Sequence, residues 1–156
     1  MGDVGGGILH EHGLTRTVRD SAALLDVTSG PELGDPYYAP PKNGPYLTEV
    51  GRDPAKLKIR LLIPPTKIGA FDPTPEDPMK SIRIALSFVA FTRTQNITGQ
   101  PAMSVPLYWN EDEIPIGVQF AGRFGDEASL FRLAGQLEQA RPWADKKPPT
   151  NCDNEL

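Results

Sequence analysis

The chain has 156 residues, a formal net charge of −4, 38% hydrophobic and 23% charged residues, a composition that suits one globular domain. Lys and Arg are scattered with no basic stripe, which argues against a nucleic-acid partner. No apolar run reaches the length of a membrane span.

Met1–Gly13 is glycine-rich and reads as loop. It lacks the basic-then-apolar order of a secretory leader, and Gly6 stands where a myristoylation motif needs Ser or Thr. The lone cysteine, Cys152, cannot form an internal disulfide, so a cytoplasmic location is expected.

A helix is expected over residues 18–28. Thr17 with Asp20 resembles a capping box, Val18, Ala22 and Leu25 recur at helical spacing, and Gly30-Pro31 supply the stop. Residues 34–53, rich in Gly, Pro and Tyr, read as ordered coil. Leu57, Ile59, Leu61 and Ile63 alternate with Lys58 and Arg60, which predicts a strand ended by Pro64-Pro65. The proline-rich stretch 64–78 reads as a rigid connection. Asp77-Pro78 then opens a helix running to about Phe91, with Ile82, Ala85, Leu86 and Val89 on one face.

Residues 96–101 predict a turn. Residues 102–109 and 114–121 predict two strands of a hairpin around Asn110-Glu111-Asp112-Glu113. Asp126 caps a last helix, with Leu130, Leu133, Ala134 and Leu137 on one face; Pro142 stops it, and the polar tail beyond is expected to fray.

Residue by residue, candidate chemistry is thin. His10-Glu11-His12 offers at most part of a metal site, and Glu111-Asp112-Glu113 reads as a solvated turn rather than converging carboxylates. Arg16 and Arg19 are expected to pair with Asp20 on the helix surface. Phe120, Phe124 and Phe131 are expected in the core. Cys152, flanked by Asn151 and Asp153, has no activating base beside it. No cofactor or metal is expected.

Several segments together carry a resemblance. Asn96-Ile97-Thr98-Gly99-Gln100-Pro101-Ala102-Met103-Ser104-Val105-Pro106, then Ile114-Pro115-Ile116-Gly117-Val118-Gln119-Phe120-Ala121-Gly122, then Asp126-Glu127 and a helix follow in order. That order resembles the C-terminal end of amidase-signature hydrolases. Gly13-Leu14-Thr15-Arg16-Thr17-Val18-Arg19-Asp20, continued by Leu24-Leu25-Asp26, resembles the segment shortly after that family's nucleophile loop.

The resemblance implies an α/β fold, here a partial one with a mixed-sheet remnant flanked by helices. It also implies hydrolysis of amide C–N bonds by a Ser–Ser–Lys triad. A serine hydroxyl needs a positioned base to lose its proton, and the developing oxyanion needs preset donors. The family's three catalytic positions lie upstream of the match at Gly13, so no catalytic residue is assigned here. The serines in this sequence are 21, 29, 81, 87, 104 and 129. Ser104 lies inside the matching segment, where its expected role is structural.

Residues 52–59 resemble an earlier family strand and residues 68–73 a connection much nearer the C-terminus, which implies an internal deletion with its seam between Leu61 and Lys67. The chain is thus read as a single partial domain: 1–63 following the nucleophile loop, 64–141 as the family's C-terminal segment, and 142–156 as a tail. Inactivity of the chain alone is expected. Self-association, or pairing with another amidase chain through exposed strand edges, is the expected alternative.

Overall fold

The computed structural model describes residue 10 and residues 12–35, 37–58, 79, 92–111 and 113–146. The strand expected over 57–63 lies outside these, apart from Leu57 and Lys58, which are not in a strand. Of the helix expected over 78–91 only Met79 is described, and the expected seam and residues 147–156 also fall outside.

Helix α1 spans Val18–Thr28, the expected range. Thr17 is its N-cap: its Oγ1 accepts from the Asp20 amide at 3.1 Å, satisfying one of the free donors of the first turn. A second free donor, the Val18 amide, bonds Oε1 of Glu138 at 3.1 Å, 120 residues away. Val18 and Ala22 are buried. At the other end the Ser29 amide bonds the Leu25 carbonyl at 2.8 Å, and Gly30 turns the chain away at φ 142°.

The coil that follows closes in a single 3-10 turn, Tyr46–Thr48. It is tied to α1 by Asp26, whose carboxylate accepts from the Tyr46 amide at 2.8 Å and the Leu47 amide at 2.9 Å.

Helix α2, Arg93–Thr98, is a correction to the turn expected over 96–101. The turn proper begins only at Gly99, which ends the helix at φ 68° in the left-handed region. None of the six helical residues is buried. With no apolar stripe, the hydrophobic periodicity carried no sign of this helix.

Strands β1 (Ala102–Trp109) and β2 (Pro115–Ala121) form an antiparallel hairpin. The register pairs Ala102 with Ala121 and Val105 with Val118, and shifts between Pro106 and Tyr108, so Leu107 is the extra residue of a bulge. Met103, Val105, Leu107 and Trp109 of β1, with Phe120 of β2, face the core; Ser104, Tyr108, Ile116 and Gln119 are exposed. At the turn the Asn110 amide bonds the Ile114 carbonyl, and Oδ1 of Asn110 accepts from the Ile114 amide at 2.8 Å. Ile114 therefore closes the turn rather than opening the strand. Among the described residues the sheet is this antiparallel pair, so the fold is helices over a two-stranded sheet, α/β in that sense.

Helix α3 spans Glu127–Ala140 and buries Leu130, Leu133, Ala134 and Gly135. Asp126 holds the expected N-cap position, but its side chain makes no capping bond. Gly135 permits a close approach: a Cβ there would sit 3.1 Å from the Gly51 amide nitrogen, tighter than ordinary contact.

The core cluster joins Val18, Val105, Ala134 and Trp143, one residue from each of α1, β1, α3 and the segment after α3. Trp143 corrects the expectation that everything past Pro142 frays. Its indole is buried, and the Lys146 amide bonds its carbonyl at 3.0 Å. Arg16 donates to the carbonyl of Ala144, a bond across the molecule where local pairing on α1 was expected. Phe120 and Phe131 pack against the core as expected, whereas Phe124 is exposed and lies under Gly99.

Candidate functional site

Serine hydrolysis needs three things at one point: a hydroxyl, a base with a free lone pair, and donors for the oxyanion. Ser21, Ser29, Ser104 and Ser129 are the serines among the described residues.

Ser29 is beside a lysine. Lys42 Nζ lies 3.2 Å from its Oγ. The same amine donates to the Asp26 carboxylate at 2.9 Å and to the Asp26 carbonyl at 3.1 Å. A lysine ammonium has three N–H donors, and here all three are committed. The amine therefore gives a hydrogen to Ser29 and offers it no lone pair. The group joins the end of α1 to the coil before the 3-10 turn, and its form is that of a structural clamp.

Asp26 is the centre of that clamp. Burial alone would raise its pKa. The Leu47 amide, the Lys42 ammonium and the Tyr46 amide outweigh this and hold the carboxyl below its ordinary value. Tyr46 is shifted upward, first by burial and then by the neighbouring Glu127 carboxylate, to which its hydroxyl is bonded, and by Asp26. The phenol is thus kept neutral. Its ring packs against Phe131 at a tilt of 38° with centroids 5.5 Å apart, and Lys42 Nζ lies 5.3 Å from its centre.

Ser21 contacts a histidine: His12 Nε2 is 3.1 Å from its Oγ, in an exposed setting. A nucleophile–base pair of this kind needs a third group to orient the ring and donors for the oxyanion; no carboxylate bond to His12 is among the described contacts. Ser104 stands on the exposed side of β1 against Gly117, where an added Cβ would run into its Oγ. That packing fits a strand residue against a glycine.

Two concavities accompany these residues. A small one of about 90 Å³ lies between Pro41, Lys42, Tyr46, Glu49, Asp126 and Arg132. Its lining includes an ion pair on the buried Glu49, which accepts from Arg132 Nε at 2.5 Å and also, outside the lining, from the exposed Arg52 Nη1 at 3.0 Å. The second, about 400 Å³, is an open groove at the hairpin tip lined by Trp109, Asn110, Glu113 and Lys146, with Lys146 Nζ 4.1 Å from the Trp109 ring centre. Neither brings a serine, a base and oxyanion donors together. No group of three metal-ligating side chains converges among the described residues.

Asp26, Lys42, Glu49, Arg132 and Trp143 were not singled out from sequence. The Asp26–Lys42 and Glu49–Arg132 pairs join residues 16 and 83 apart, and no local pattern records such contacts. No helix of the described residues is long and apolar enough to cross a membrane.

Comparison with known proteins follows the hairpin-and-helix part of the fold. Residues 60–131 match the family model described as Amidase, just under half of the chain. A putative amidase AmiC of Mycobacterium leprae is 48% identical over 71 residues, covering 46% of this chain and 15% of its own. Putative amidase AmiB2 of Mycobacterium tuberculosis (strain H37Rv) is 39% identical over 84 residues, 54% of this chain and 18% of its own. The 6-aminohexanoate-cyclic-dimer hydrolase of Paenarthrobacter ureafaciens is 44% identical over 64 residues, 41% of this chain and 13% of its own. The chain thus spans less than a fifth of the length of these curated relatives. A solved structure of 6-aminohexanoate cyclic dimer hydrolase superposes with a TM-score of 0.66 at 19% identity, over 85% of this chain and 55% of that one; a substrate complex gives 0.68 at 20%. Motif order, family match and fold agree in one respect: over the part that these matches cover, the chain is similar to amidase-family hydrolases.

Proposed function

We propose that these 156 residues form a scaffold portion of an amide C–N hydrolase and do not hydrolyse amides by themselves. Amide hydrolysis is the reaction of the family. The observation that carries the reading is the Ser29–Lys42 contact. It is the one serine–lysine contact among the described residues, and its amine is spent on Asp26 and donates to the serine. A base in that state cannot accept the nucleophile's proton. The Ser21–His12 pair supports the same reading, since it is exposed to water rather than held in a closed site.

The test is direct. The purified chain, incubated with simple carboxamides and with a fluorophosphonate serine probe, is expected to release no ammonia above buffer and to take no label. Stoichiometric labelling that one Ser→Ala change at 21, 29, 81, 87, 104 or 129 removes would overturn the proposal. Turnover that survives all six changes would do so as well.

A further inference from the structure

We infer that β2 is a self-recognition edge: two copies of the chain join along it, antiparallel about a two-fold axis at Gln119, with Arg123 of each copy beside the partner's Glu113. The inference stands apart from the reading of activity. It assigns what the sequence leaves open, namely which edge pairs, with what and in which register.

Main-chain direction fixes the edge. The Gly122 amide donates inward, to the Pro101 carbonyl at 2.8 Å. Amide direction alternates along a strand, so Phe120 and Val118 also point to β1, while Ala121, Gln119 and Gly117 point away from it. Pro106, which has no amide to give, faces Gly117 in the register, as that alternation requires. Among the described residues the sheet ends at β2, and Gly117, Gln119 and Ala121 are all exposed. The opposite edge differs. Helix α3 packs against β1, and β1 is interrupted by Pro106 and by the bulge at Leu107, features that discourage pairing. β2 has no charged side chain, and no proline after Pro115.

The occupant follows from self-complementarity. With the axis at Gln119, Gly117 lies opposite the partner's Ala121, so each outward-pointing residue meets another. Moving the axis to Val118 sets Pro115 opposite Ala121 and loses a donor; moving it to Phe120 carries Gly117 past the end of the partner strand. Gln119 suits its own copy, because an amide both donates and accepts, whereas a charge there would repel itself. The charged residues nearest β2 are Glu113 and Arg123, both exposed, beyond its opposite ends. The antiparallel register sets Arg123 diagonal to the partner's Glu113, within reach of long side chains. Parallel pairing would set like charge against like.

Sedimentation of the full chain from about 1 to about 100 µM tests the claim, with helical circular dichroism as the check on folding. The parent is expected to dimerise. Gln119→Pro removes an outward amide of β2 and no bond to β1, and is expected to be monomeric. Ser104→Pro removes the matching outward amide on the β1 edge, and is expected to dimerise like the parent. Arg123→Glu is expected to weaken the dimer by about fivefold or more, and Glu113→Arg with Arg123→Glu to restore it to within about twofold of the parent. If either proline unfolds the hairpin, the charge variants decide alone. A monomeric parent at the highest concentration, which leaves the edge to a different chain, overturns the inference. So does a folded Gln119→Pro dimer, a folded Ser104→Pro monomer, or a double charge variant no tighter than Arg123→Glu. Amide turnover plays no part in the readout, so the proposed inactivity can fail independently.

Discussion

At the scale of single residues, the molecule's charges are arranged to hold backbone in place. Asp26 receives two main-chain amides and an ammonium, and its pKa is held down as a result. Folding therefore favours the ionised carboxylate. The stabilisation is fully present above the unfolded value of about 4 and is lost as pH falls through the lower folded value. Asp26→Asn is expected to melt at a lower temperature than the parent at pH 7, with the gap closing below about pH 4. A gap constant from pH 7 to pH 3 would show that the charge of Asp26 contributes nothing. Glu49 makes a different case because it is buried. Its removal leaves two guanidinium groups without their acceptor, and Glu49→Ala is expected to cost about 1–3 kcal/mol in urea denaturation. Arg52, whose side chain is 59% exposed, is expected to cost less than about 1 kcal/mol when changed to Ala.

At the scale of elements, legibility in the sequence tracks local information. Helix α1 matches its expected range because cap, stripe and glycine stop all lie within fourteen residues, 17–30, of one another. The hairpin was legible from alternation on either side of a polar turn. Helix α2 was not, since it buries nothing; what defines it is its end. Gly99 has φ 68°, and a Cβ there would lie 2.8 Å from the Phe124 ring. Gly51 has φ 94° but open space around it. Both Gly→Ala changes meet the cost of a left-handed conformation, about 1 kcal/mol, and only the one at 99 adds a clash. Thermal melts are expected to rank Gly99→Ala below Gly51→Ala; the reverse order would mean that Phe124, which is 59% exposed, swings aside at no cost. The candidate site was legible in one respect only. The residue types that serine chemistry needs are spread through the sequence, but the state of the Lys42 amine depends on Asp26, sixteen residues earlier, and only the fold shows that contact.

At the scale of the whole molecule, the structure is closed by its distant parts. Each of α1, β1, α3 and the segment after α3 gives one residue to the buried cluster, so none of them has a core of its own. Trp143 is the last to enter in chain order, and it lies beyond the helix where the periodic pattern had ended. Truncating a buried Trp to Ala costs about 3–5 kcal/mol, a large share of the stability of a small domain. Because the cluster is shared, that loss is expected to reach α1, more than a hundred residues away, and not to stay with the C-terminal segment. Trp143→Ala is expected to reduce amide exchange protection in α1 and α3 together, by similar factors. In the parent, unfolding followed by tryptophan fluorescence is expected to coincide with unfolding followed by helical circular dichroism. Both tryptophans, Trp109 and Trp143, lie in the C-terminal half, whereas the helical signal includes α1. Two separated transitions, or a Trp143→Ala variant that keeps α1 protected, would show that the two ends fold as independent pieces and that the long-range bonds from Arg16 and Val18 are incidental to the stability of α1.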